Sequence, residues 1–259
     1  NVWMDSTHTH ESGGDGIAFD GSEMQVLRSD GGNAVFDRLT IDNAGGADSI
    51  AVSVPEGNEI RIQHSLNMSR GIFDIGKNLL VLEQGAIIEE SNAFSTHNMI
   101  QTNISFTDIG IRKYFPEISS LTTFTYPIGS GGKFTPVVFN ISQMNAGGSI
   151  RVKAADEIHP TITNDDEPCD DIIDTTNVLK YHWLVESEGI SSLTADVSMH
   201  YADGDVQIDN SLSGTSYDIS DYITARLLLS STQWNKYDPN SFDENNRRLN
   251  FSFNGTNDE

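Results

Sequence analysis

The stretch that decides the fold is "SIAVSVPEGNEIRIQHSLNMSRGIFDIGKNLLVLEQGAIIEES", residues 49–91. Apolar and polar residues alternate in it: Ile50, Val52 and Val54, then Ile60, Ile62 and Leu66. Successive side chains of a strand point to opposite faces, so a period of two marks half-buried strands. Leu79 to Leu82 are apolar on both faces, and Gly85 interrupts the segment that follows. Two short buried strands fit that composition better than one helix. From residue 33 to residue 115, short apolar segments recur about every 10–12 residues, a rhythm that suits stacked solenoid coils. Each segment closes on Gly, Asn or Asp, as in "VFDRLTIDNAGG" and "FDIGKNLLVLEQG".

Beyond residue 118 the texture changes. Alternating segments lengthen, as with Leu193, Ala195, Val197, Met199 and Tyr201, or Ile223, Ala225, Leu227 and Leu229. Leu249, Phe251 and Phe253 close the chain in the same way, and "MNAGGS" and "YADGD" read as turns between such strands. The expected architecture is all-β. Residues 1–32 form an N-terminal extension, 33–118 a short β-solenoid-like part, and 119–259 an antiparallel β-sandwich that includes the aromatic strand "LKYHWLVESEG".

The 259 residues carry 15 Lys+Arg against 38 Asp+Glu, a formal net charge of -23. Phosphate binding needs clustered cations, so this balance excludes nucleic acid as a partner. Hydrophobic residues make up 37%, enough for a packed core. No apolar run approaches the roughly 18–20 residues that span a bilayer as a helix. Cys169 is the single cysteine, so no intrachain disulfide forms. Beginning "NVWMDS" and ending "NGTNDE", the chain is expected to be a piece of something longer.

"TFTYPIGSGGKFTPVVF", residues 123–139, invites comparison with a phosphate-binding loop. A Walker loop needs G-x-x-x-x-G-K-[ST] opening a helix. Here Pro127 stands in place of the first Gly, Phe134 in place of the Ser/Thr, and a strand-forming "FTPVVF" in place of the helix. The segment therefore reads as strand, glycine turn, strand, with Lys133 a solvent-facing turn residue.

That hairpin, the following "VLKYHWLVESEG" and "LTADVSMHYADGD", and the upstream repetitive stretch together resemble the surface and secreted proteins of Bacteroidetes exported by the type IX secretion system. The hairpin is similar to their "F-P-hydrophobic-G-x-x-x-x-(Y/F)-x-P-V" pattern, and the resemblance runs from about residue 35 to about residue 230. It implies an extracellular or outer-surface location and an adhesive, filamentous or matrix role, with a C-terminal sorting domain that this sequence does not show. It implies no active site. Asp-(Ser/Thr) motifs glycosylated in such proteins have counterparts at Ser6, Ser49 and Thr175.

Candidate chemistry is sparse. The segment from Asp156 to Asp174 holds eight carboxylates and no Lys or Arg, and Asp165, Asp166, Asp170 and Asp171 could offer oxygen ligands to calcium. Asp203, Asp205 and Asp209, around the turn at Gly204, form a second calcium candidate. His8 and His10 in "THTHE" have the His-x-His form that binds zinc or copper, though a tail is the simpler reading. His200 shares a polar strand face with Thr194, Asp196 and Ser198 and is expected to be solvated. No nucleophile motif is present, and carboxylates around Cys169 blunt its reactivity. Together with what the resemblance implies, the expectation is a non-enzymatic extracellular structural or adhesive protein, with copies of itself as partners and calcium as the one cofactor to consider. The alternative is a module binding surface polysaccharide, which would need Trp183, Trp234, Tyr201 or Tyr237 exposed as a platform.

Overall fold

The computed structural model describes residues 2–4, 16–29, 33–43, 50–102, 109–162, 177–206, 222, 224–228, 234–236 and 241–255. These contain strands and one short 3-10 turn, with no α-helix among the described residues. The first eleven strands are β1 (Val2–Met4), β2 (Ile17–Phe19), β3 (Gln25–Ser29), β4 (Asn33–Asp42), β5 (Ile50–Ser53), β6 (Glu59–Arg70), β7 (Ile72–Gly76), β8 (Leu79–Leu82), β9 (Ile87–Glu90), β10 (Ile100–Thr102) and β11 (Gly110–Phe115). From β1 to β8 the chain visits two parallel sheets alternately, and β10 and β11 repeat the visit. This is a solenoid of about 4 turns. Its strands begin upstream of residue 33: β3 pairs with β5, and β2 with β4. Of the extension expected there, the described strands β1, β2 and β3 join the two solenoid sheets.

Parallel stacking aligns like with like. Ala34, Ile60, Leu80, Ile111 and Val152 form one inward column, each paired to the next across the sheet. All five are essentially inaccessible to solvent. Bulges between Phe36 and Arg38 and opposite them in β6 bend the long strands. The first half of β6 then pairs with β8 and the second half with β9. The expectation of two buried strands over residues 79–90 holds for β8 only, since β9 leaves Ile87 53% exposed.

At the corners, asparagines serve the backbone from inside. Asn78 is 1% exposed. Its Nδ2 donates to the carbonyls of Ile75 at 2.7 Å, Val54 at 3.0 Å and Pro55 at 3.0 Å, and its Oδ1 accepts from the Asn58 N–H at 2.8 Å. Asn43 and Asn98 are likewise buried and donate to carbonyls of neighbouring coils. Buried carbonyls outside the ladders need such donors. Gly71 turns at φ +102, and a Cβ there would sit 2.4 Å from that of Ala51, so only glycine fits.

The remaining strands are β12 (Thr122–Tyr126), β13 (Ile128–Ser130), β14 (Lys133–Phe134), β15 (Val137–Gln143), β16 (Gly148–Ala155), β17 (His182–Glu188), β18 (Leu193–His200), β19 (Ala225–Leu227), β20 (Trp234–Lys236), β21 (Phe242–Asp243) and β22 (Arg248–Gly255). An antiparallel sheet runs β12-β15-β18-β22-β21. Its inward residues, among them Phe139, Ile141, Ala195 and Val197, join the same hydrophobic core as the solenoid. The aromatic strand, β17, does not lie in this sheet. It pairs with β16, and β16 pairs with β11, so both extend a solenoid sheet. The β13–β14 hairpin extends the other one through β10. The two parts expected on either side of residue 118 are therefore interleaved. Alternation reports that a strand is half-buried but not which edge it joins.

Candidate functional site

A cluster of three charged side chains lies where the solenoid meets the antiparallel sheet, and the β13–β14 hairpin supplies its cation. Gly131 and Gly132 adopt φ of 59° and 79°, the left-handed conformations that let β13 reverse tightly into β14. This turn places Lys133 opposite Ser130. The Lys133 Nζ donates to Oδ1 of Asp156, just beyond β16, and to Oδ1 of Asp205, in the 3-10 turn Asp203–Asp205. The Asp205 side chain is fully buried; those of Lys133 and Asp156 remain 29% and 19% exposed. The second oxygen of Asp205 accepts from the Ala202 N–H at 3.1 Å. Asp156 packs flush against Gly131, where a Cβ would come within 2.8 Å of Oδ2. Below the ions, Tyr181 Oη and Thr135 Oγ1 share a hydrogen bond of 2.5 Å, and the Tyr181 ring centre lies 5.9 Å from Nζ.

Burial alone would lower the Lys133 pKa, but hydrogen bonds to Asp156 and Asp205 and their charges raise it above the ordinary value. Burial also raises that of Tyr181. Lys133 is thus a charged tie between three elements. The reading of a solvent-facing turn residue is corrected: the turn is where it was expected, but its lysine folds back onto two aspartates distant in sequence.

The other site candidates fall apart spatially or lie elsewhere. Asp203 pairs with Arg247 at 2.5 Å while Asp205 pairs with Lys133, so these two calcium candidates each meet a cation of the chain. Asp209, Asp165, Asp166, Asp170, Asp171, Ser6, Ser49, Thr175, His8, His10 and Cys169 lie outside the described residues. Among the described residues no group of three or more His, Cys, Asp or Glu is arranged to hold a metal ion. His200 is half-buried rather than solvated. Burial holds its pKa down, with Arg248 adding to the effect. His159 and His182 meet edge to face at 4.9 Å and are both lowered, chiefly by burial.

The proposed aromatic platform is also dispersed. Tyr201 is buried and stacks on Phe242. Trp183 donates to the Thr135 carbonyl at 3.2 Å, and Trp234 sits edge-on to His159. Tyr237 is outside the described residues. Compared with protein-family models, with curated proteins and with solved structures, the chain gives no match. No helix among the described residues is long and apolar enough to cross a membrane.

Two buried charges escaped the sequence reading. Lys113 pairs with Leu82 in the column that continues to Ile62 and Phe36, and is only 4% exposed. Its Nζ reaches the carbonyls of Glu83 at 2.7 Å and Gln84 at 2.9 Å, capping the coil turn. Burial lowers its pKa from 10.5 to about 8, against an opposing pull from Glu83. Asp37, at the β4 bulge, is 1% exposed and faces the Nδ1 of His64. The signal for Lys113 was present: it follows Ile111 at the inward spacing of two.

A second feature is an edge. Strand β12 ends the antiparallel sheet and pairs, among the described residues, only with β15. Residues 121–126, "LTTFTY", carry no charge, and Leu121 is 71% exposed. Alongside β12 runs an open groove of about 550 Å³ walled mainly by Ile87, Ile88, Phe94, Phe124 and Phe134, with Glu90 also in its lining.

Proposed function

We propose that this chain is a non-enzymatic extracellular protein, a structural or adhesive segment of a cell-surface filament, sheath or adhesin, that associates with copies of itself. The observation that supports this reading is the β12 edge. Sheet edges normally carry a charge, a proline or a bulge that blocks pairing with a neighbour. The strand itself is neutral on a chain of net charge -23, and an exposed Leu121 and a mainly apolar groove, with Glu90 its one charged lining residue, flank it. A neutral strip is where two strongly acidic copies can approach with least repulsion, and antiparallel pairing of like edges closes about a two-fold axis. Stacked parallel coils give the repetitive framework such a role uses. The type IX resemblance supports the extracellular location. The polysaccharide-binding reading draws no support from Trp183, Trp234 and Tyr201, each packed against a neighbour.

Analytical ultracentrifugation over a concentration series, at low and high salt and with calcium or a chelator, tests the proposal. Association should strengthen with salt as the acidic surfaces are screened. Thr123→Lys, which places a charge on the exposed edge, should reduce it at least tenfold without changing the monomer's melting curve. Strictly monomeric behaviour under every condition, or association indifferent to Thr123→Lys, refutes it.

A further inference from the structure

We propose that Lys133 and Asp156 are the precursors of an intramolecular isopeptide bond, with Asp205 the residue that carries the proton. One ammonium meets two carboxylates that come from different elements, and one carboxylate is enclosed completely. Joining an amine to a carboxyl group requires a nucleophile, an acceptor and a group that moves a proton between them. The three side chains supply those parts, with no cofactor or co-reactant.

The geometry assigns the roles. Asp205 is held from two sides: Oδ2 by the Ala202 N–H, Oδ1 by Lys133. A carboxylate so fixed can take a proton from the ammonium and return it without moving. Asp156 is the acceptor. Its Oδ1 contacts Nζ, its Oδ2 lies against the bare backbone of Gly131, and its partial exposure gives the released water a way out. The Tyr181 ring and its bond to Thr135 close the floor of the site against water.

The step balances. Lys133 Nζ, after losing a proton to Asp205, attacks Asp156 Cγ and forms the C–N bond. The tetrahedral carbon then expels one Asp156 oxygen as water, which leaves with two of the three ammonium hydrogens. The third stays on the amide nitrogen, Asp205 is regenerated, and nothing is oxidised or reduced. Holding the reacting groups in contact replaces an encounter from solution, an advantage that reaches about 10⁵ M or more in effective concentration. The aspartates keep Lys133 protonated at rest, so the reactive amine forms rarely and the bond matures slowly after folding. It would tie the last solenoid hairpin to the strand that extends the opposite sheet.

Intact-protein mass spectrometry under denaturing conditions tests this on the purified chain, incubated at neutral pH until its mass is constant. The expected mass is that of the sequence less one water, with a protease-resistant branched peptide joining Lys133 to Asp156. Lys133→Met and Asp156→Ala should restore the full sequence mass. Asp156→Asn should still form the bond, losing ammonia instead of water. Asp205→Asn should remain folded by circular dichroism yet keep the full mass. A wild-type chain at full sequence mass shows a purely non-covalent ion triad and overturns the proposal. So does a water loss that persists in Lys133→Met, or a branch mapped to Asp205 in place of Asp156.

Discussion

Replacing Asn78 by Ala removes the plug of a solenoid corner without touching the hydrophobic columns. The Asn78 amide has two hydrogens to share among the carbonyls of Ile75, Val54 and Pro55, and its oxygen accepts one N–H from Asn58. Three hydrogen bonds are therefore lost. At a net contribution of about 1 kcal/mol each, the expected destabilisation is about 3 kcal/mol. For a chain of this size that corresponds to a fall in Tm of roughly 6–12 °C. Asn78→Asp sharpens the test, because it preserves shape and the acceptor but turns a carboxylate toward three carbonyl oxygens. It should cost more than Ala at neutral pH and recover partly as acid protonates it. Asn92→Ala is the control. Asn92 donates to Ser69 at 2.6 Å from an exposed position, so its loss should cost under about 0.5 kcal/mol. Urea unfolding followed by far-ultraviolet circular dichroism, with unchanged m-values, reads all three. A loss below about 1 kcal/mol for Asn78→Ala, or an Asp variant as stable as wild type, would refute the assignment of corner closure to this side chain.

Two further predictions concern pH. Lys113 has a folded-state pKa of about 8 against an ordinary 10.5, so between these values the unfolded chain binds more protons and stability rises with pH. The gain should approach about 3 kcal/mol at the top of the window, and Lys113→Met should flatten the slope between pH 8 and 10.5. An unchanged slope in that variant would show that Lys113 is not the titrating group. On the acid side, His159, His182 and His200 are all held below their ordinary pKa, mainly by burial. The unfolded chain then protonates first, and stability should fall as pH drops below about 6.5. His182→Gln should reduce that fall in urea midpoints, whereas a profile flat from neutrality down to the carboxylate range would contradict the burial of these rings.

The strand content, the solenoid rhythm and the inward residues were legible because they are properties of neighbours along the chain. Ile60, Ile62 and Leu66, like Ala195, Val197 and Met199, announce their burial by a spacing of two, whatever strand they pair with. The failure of the Gly-Ser-Gly-Gly-Lys turn as a nucleotide loop was equally local, resting on Pro127, Phe134 and the strand behind them. Only the tertiary structure decided where the half-buried strands pair. That is why β17 left the sandwich for a solenoid sheet, and why β2 and β3 joined the solenoid. It also decided the fate of the polar residues. Lys133, Asp156 and Asp205 are separated by 23 and 72 positions from lysine to each aspartate, and nothing in their local sequence links them. Their meeting depends on three chain reversals closing on one point. Charge pairing of that kind is set by the path of the backbone through space, whereas alternation is set by the geometry of a single strand.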